Sequence, residues 1–305
     1  MRAFSTVLVR CHVCRVNLLR EKLYSDGNCT ASALASRFTV RLPILAIGLL
    51  FALTSLPLSS IAVASANPMI RVGNGNNSST NWSGYAVTGA ADSITMAQGS
   101  WTVPAVTCGS SETSYSAFWV GIDGFTSTTV EQTGTDSDCS KGVPTYYAWF
   151  EFYPKASKDI STLAIHAGDK VAARVSFASG TFKIAIEDFT TGKHYATTST
   201  VSGAARSSAE FIVEAPAICI LLKCSLAKLS DFGTAGFGQD NTGLSSAINC
   251  AVAMNGPLAS IGSYGSAVQE ITMVSQSNPT LVKSLPSALS TDGTSFTVQW
   301  MNAGP

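Results

Sequence analysis

YYAWFEFYP, residues 146–154, decides how this chain is read. Side chains of an extended strand alternate between two faces. The even positions Tyr146, Ala148, Phe150 and Phe152 therefore form one apolar face, suited to a core. The odd positions Tyr147, Trp149, Glu151 and Tyr153 form another, with three large aromatics around one carboxylate. That second face is neither ordinary core nor ordinary solvent surface.

The pattern recurs. In AFWVGIDG (117–124), Phe118, Val120 and Ile122 share one face while Trp119, Gly121 and Asp123 share the other. In AEFIVEAP (209–216), Phe211 and Val213 oppose Glu210, Ile212 and Glu214. If these strands are neighbours, they line a groove with aromatics and acids, and such a concave mixed surface is where ligands bind. Between them the chain is punctuated as an all-β protein. Short alternating runs such as SITMAQGSWTV, KVAARVSF, TFKIAIED and SFTVQW are divided by turn signals at Ala167-Gly168-Asp169, Ser179-Gly180, Thr191-Gly192-Lys193 and Asp292-Gly293. Only CILLKCSLAKLS invites a helical reading. The expected architecture is an antiparallel two-sheet β-sandwich, jelly-roll or lectin-like.

Charge is unevenly spread. Residues 1–66 hold seven Lys/Arg against two Asp/Glu, leaving twelve against seventeen in residues 67–305. A weakly acidic body with few cations has no footprint for nucleic acid. Residues 41–66 read as a secretory signal: Arg41, an apolar run, then Ala64-Ser65-Ala66 as a small-residue cleavage site. The apolar run is broken by Pro43, Ser55 and Pro57 and has no charged stop-transfer segment after it, so cleavage rather than membrane anchoring is expected. Residues 1–40 fit no targeting segment, and translation starting near Val40 would account for them. Residues 67–80, NPMIRVGNGNNSST, read as a short disordered leader or linker. Residues 81–305 are enough chain for one domain burying roughly 70–75% of its unfolded surface.

Export permits disulfides. Cys219 and Cys224 bracket a short loop and form the first expected pair; Cys108 and Cys139, in turn-rich segments, form the second. Cys250 is left as a buried thiol. Familiar hydrolase signatures are missing. There is no H-E-x-x-H, no G-x-S-x-G and no Asp-Thr-Gly pair, and the only histidines after residue 66, His166 and His194, sit beside turn glycines. No metal or cofactor is implied. Carboxyls and amides must carry any chemistry. Aromatics with acids suit either extended peptides or sugars, so a lectin-like carbohydrate binder or glycosidase is the alternative reading.

Taken in order, NWSGY (81–85), FWVGIDG (118–124), EQTGTD (131–136), YYAWFEFYP and AEFIVEAP resemble the glutamic peptidases, or eqolisins, across the region from Asn81 to Trp300. The resemblance implies a secreted, monomeric endopeptidase acting on polypeptides in acid, on a sandwich of two seven-stranded sheets, with a Gln/Glu catalytic pair. Its Q-T-G motif falls on Gln132, and its catalytic Glu is the second acid of the A-E-F-I-V-E run, Glu214 rather than Glu210. Substrate-cleft and supporting positions fall on Trp82, Asp123, Asp136, Trp149 and Glu151, and the odd face of YYAWFEFYP adds Tyr153 as a wall of the cleft. Aromatic positions near Phe152 depart from the family pattern, and no long basic propeptide precedes Asn81.

Overall fold

The computed structural model describes residues 63–65, 67–72, 77–220, 223–245 and 249–304. The expected extension at 1–40 and most of the expected signal at 41–66 lie outside the described residues. Alternating apolar residues fold into two antiparallel sheets. The first has the strand order Lys158–Asp159, Val143–Tyr153, Val130–Ser140, Ala117–Ile122, Ser208–Glu214, Trp82–Thr88, Val268–Val274. The second runs Lys193–Ser199, Thr181–Asp188, Lys170–Ala178, Ile94–Thr102. Thr234–Phe237 and Ala251–Met254 both pair with Ile94–Thr102. Phe296–Trp300 and Val282–Pro286 then lead back to Val268–Val274.

The core lies between the sheets. Phe118, Val120, Phe211, Val213, Ala148 and Phe152 from the first sheet meet Trp101, Val175, Phe182, Ile184 and Phe237 from the second. Trp101 also ties the layers together, its indole N–H donating to Thr135 Oγ1 at 2.9 Å. All four expected turn glycines, Gly168, Gly180, Gly192 and Gly293, have positive φ, where a side chain would be strained.

Two features depart from expectation. CILLKCSLAKLS contributes strands rather than helix: Ala217–Ile220 pairs with Lys223–Leu226, with Cys219 opposite and bonded to Cys224. The other bridge joins Cys108 to Cys139, and Cys250 is a buried thiol. Residues 67–72 and 77–80 are ordered rather than a disordered leader. Val72 N–H donates to Ser78 C=O at 2.9 Å and Thr80 N–H to Ile70 C=O at 2.9 Å. Just upstream, Val63–Ser65 pairs antiparallel with Ala217–Ile220.

The outer face of the first sheet is not a solvent face. Every residue of Ala117–Ile122 and of Ser208–Glu214 is buried. A second apolar cluster covers this side, holding Met69, Trp82, Trp119, Phe125, Trp149 and Ile212. Strand spacing there depends on Gly134, where an added Cβ would lie 2.2 Å from Phe118 O and 2.6 Å from Trp119 Cβ. Gly134→Ala is therefore expected to destabilise by about 3 kcal/mol or more, the upper end for overpacking. A urea midpoint within error of wild type would contradict this.

Candidate active site

Cross-strand register sorts the outer face into three rows. Glu151, Gln132, Gly121 and Glu210 stand side by side in the first. Trp149, Gly134, Trp119 and Ile212 form the second, and Tyr147, Asp136, Ala117, Glu214 and Trp82 the third. The middle of the face is built from Gly121, Gly134 and Ala117, and that shallow centre is where the Trp119 ring lies. An added Cβ at Gly121 would meet the Trp119 ring at 2.9 Å and Gln132 Cβ at 3.1 Å. At its other edge the indole N–H donates to Glu214 Oε2 at 2.9 Å. Trp119 thus spans from the Gln132 row to the Glu214 carboxyl. Its ring is braced edge-on against Trp82, with centroids 4.9 Å apart.

Gln132 and Glu214 are both fully buried. Gln132 Nε2 donates to Glu151 Oε2 at 2.8 Å, while its Oε1 has no hydrogen-bond partner among the described residues. Glu214 Oε1 accepts from the backbone N–H of Asn67 at 3.0 Å and from Asn81 Nδ2 at 3.3 Å. Burial lifts the Glu214 pKa well above the usual carboxylate range, and the neighbouring Glu151 charge adds to this against the donors on both oxygens. An unperturbed value does not describe it.

The supporting positions divide by what they touch. Asp136 stands in the Glu214 row, accepting from Trp149 Nε1 at 2.5 Å and from Tyr147 Oη at 2.8 Å. Tyr147 also reaches Asp138 at 3.1 Å. Burial raises Asp136 to about 7 and Asp138 also upward. Asp123, expected as a substrate contact, has another job. At a positive φ of 73°, its carboxylate accepts from Arg206 N–H at 2.7 Å and Ser207 N–H at 3.0 Å, so it anchors the loop that leads into Ser208–Glu214. Tyr153 is half-buried at the rim of the aromatic cluster. Glu210 shares the Gln132 row, yet neither of its oxygens has a hydrogen-bond partner among the described residues.

Sequence reasoning left four participants out of the site. Trp119 was visible on the aromatic face of FWVGIDG but had no assigned role. Asn81 stands in NWSGY beside the chosen Trp82, and an asparagine before a strand looks like a turn residue. Tyr147 and Asp138 are joined only by the pairing of their two strands.

Several acids here hold their protons more tightly folded than unfolded. Glu131 is raised to about 9 and Asp136 to about 7, each by burial first; Glu210 and Glu214 are raised too, again chiefly by burial. A raised folded pKa contributes stability that is complete below the unfolded value and is lost as pH rises through the folded one. Stability should therefore be highest near pH 4 and fall by at least about 2 kcal/mol by pH 8. Glu131→Gln and Glu210→Gln should flatten that slope. Urea midpoints that stay level or rise over this range would overturn the assignment.

The chain is 34% identical over 184 residues to aspergillopepsin-2 of Aspergillus niger and 38% identical over 141 residues to scytalidopepsin B of Scytalidium lignicola. These matches cover 52% and 44% of this chain but only 62% and 51% of the two relatives. The structure superposes on crystalline scytalido-glutamic peptidase bound to a transition-state analogue inhibitor, with a TM-score of 0.60 and 26% identity, covering 73% of this chain and 98% of that one. The peptidase A4 family pattern spans residues 80–283, and the chain belongs to that family.

Proposed function

We propose that this protein is an exported, monomeric acid endopeptidase that hydrolyses polypeptides with Glu214 and Gln132. The observation that carries the proposal is the linkage of the two side chains on one buried face: Trp119 runs from beside Gln132 to Glu214, and Glu151 holds Gln132 while its charge acts on Glu214.

Amide hydrolysis needs an activated water, a stabilised oxyanion and a protonated leaving amine. Glu214 takes the proton from water and returns it to nitrogen. Trp119 and Asn81 fix its orientation. The Gln132 amide carries two N–H hydrogens. One is committed to Glu151, which aims the other at the oxyanion. An amide does not titrate, so this donor persists in acid, where an imidazole base would be protonated. Water reaching Glu214 when residues 67–72 are displaced relieves its burial and brings its pKa back toward the acid range that the reaction uses. The indoles weigh against the carbohydrate alternative: the N–H groups of Trp119 and Trp149 are given to carboxyls of the protein and are not free to bond sugar hydroxyls.

The test uses chain nicked at a specific protease site inserted within residues 73–76. Denatured protein and a polysaccharide panel are offered between pH 2 and 7. Proteolysis confined to acid is expected, unaffected by chelators or by serine- and cysteine-directed reagents. Glu214→Gln should lower turnover by several orders of magnitude, and Gln132→Ala by about 100- to 1000-fold, the usual cost of one oxyanion donor. Glu210→Gln should stay within roughly tenfold of wild type, because an amide replaces a neutral acid. Sugar hydrolysis without proteolysis, or full activity in well-folded Glu214→Gln, would sink the proposal.

A further inference from the structure

Residues 67–72, Asn-Pro-Met-Ile-Arg-Val, lie on the site and are held by partners elsewhere in the chain. Asn67 N–H donates to Glu214 Oε1 at 3.0 Å, Met69 N–H to Gly124 C=O at 3.1 Å and Ile70 N–H to Asn81 Oδ1 at 2.8 Å. Asn81 Nδ2 faces back toward the same segment, 3.4 Å from Asn67 O and 3.3 Å from Pro68 O. The Met69 side chain is buried in the aromatic cluster with Trp82, Trp119 and Phe125. Arg71 closes the far end, its guanidinium 4.1 Å above the Phe125 ring and bonded to Phe125 C=O at 3.1 Å. Beside this segment and the Cys219–Cys224 hairpin runs a pocket of about 640 Å³ lined by Asn67, Met69, Ala217 and Leu226.

We propose that residues 67–72 are a built-in competitive inhibitor occupying the side of the cleft that receives the leaving half of a substrate. The assignment rests on the peptidase reading of Glu214. In that reading Glu214 delivers its proton to the leaving nitrogen, and the nitrogen 3.0 Å from its Oε1 here is that of Asn67. Asn67, Pro68 and Met69 thus hold the first, second and third positions downstream of a scissile bond. Both Glu214 oxygens are occupied by donors, and the carboxyl is fully buried, so no water can be activated while the segment is in place. If export removes residues up to Ala66, the Asn67 nitrogen becomes the amino terminus. The segment then resembles a product held by its own enzyme, with no bond left to cut. The same contacts define a preferred ligand: a peptide whose backbone is read by the Asn81 amide and whose third residue is long and apolar.

The full chain carrying the protease site within residues 73–76 tests this. After nicking and removal of the released peptide, peptidase activity should rise at least tenfold over the uncut chain. Synthetic Asn-Pro-Met-Ile-Arg-Val should bind the nicked protein by calorimetry and compete with substrate. The peptide with aspartate in place of methionine should bind about 10- to 100-fold more weakly, from loss of one buried apolar side chain. In the uncut chain, Met69→Asp alone should raise activity at least tenfold. Equal rates for cut and uncut chains, or no binding of the wild-type peptide, would overturn the proposal. A nicked protein that binds the peptide with this methionine dependence yet cleaves nothing would refute the peptidase reading and leave the occupant in place.

Discussion

The strand Ser208–Glu214 has no solvent-facing side, although it carries two carboxyls. An antiparallel sheet normally keeps one face on the core and offers the other to water. Here Phe211 and Val213 serve the inter-sheet core while Glu210, Ile212 and Glu214 are covered from the other side. A buried carboxylate without compensation is costly, and the usual response is to keep the proton. That one constraint accounts for the raised acids around the site and makes low pH the condition in which this fold is at ease.

Glycine placement makes the arrangement possible. Gly121 and Gly134 stand where the first and second rows of the outer face would otherwise be crowded: the Trp119 ring takes the space at Gly121, and the Phe118 carbonyl and Trp119 Cβ take that at Gly134. The indole then does two things with one rigid body: it fills the hollow, and it presents its N–H to Glu214. Asp136 fixes Trp149 in the same manner, in the same two rows but on the neighbouring pair of strands. Rigid aromatic donors lose little entropy on being fixed, so carboxyl orientation is set by packing rather than by flexible polar side chains.

Asn81 connects this machinery to the chain ahead of it. Its carbonyl oxygen accepts from Ile70 N–H and from Ser79 Oγ, and its amide faces Glu214. A side chain that reads a peptide backbone on one edge and a carboxyl on the other treats residues 67–72 as it would treat a bound peptide. The departure of this segment from the expected disordered leader follows from such contacts. Gly, Asn and Ser dominate its composition after residue 72, and nothing local predicts that Met69 finds a pocket among Trp82, Trp119 and Phe125.

What the sequence determined by itself was everything that periodicity and turn chemistry encode. The alternation in YYAWFEFYP separated Ala148 and Phe152 from Trp149 and Tyr153, and the structure puts these sets in two different clusters. The all-β class followed from repeated short strands, and Gly168, Gly180, Gly192 and Gly293 marked turns because left-handed backbone selects glycine. The motifs singled out Gln132 and Glu214 but carry no record of their spatial relation, because the two lie on strands separated by Ala117–Ile122, and register sets them two rows apart on one face. Tertiary structure alone decided that Asp123 anchors a loop, that Trp119 bridges the rows and that residues 67–72 lie on Glu214. Each of those depends on contacts between residues far apart in the chain, and a linear pattern carries no record of which distant side chain will occupy a given hollow.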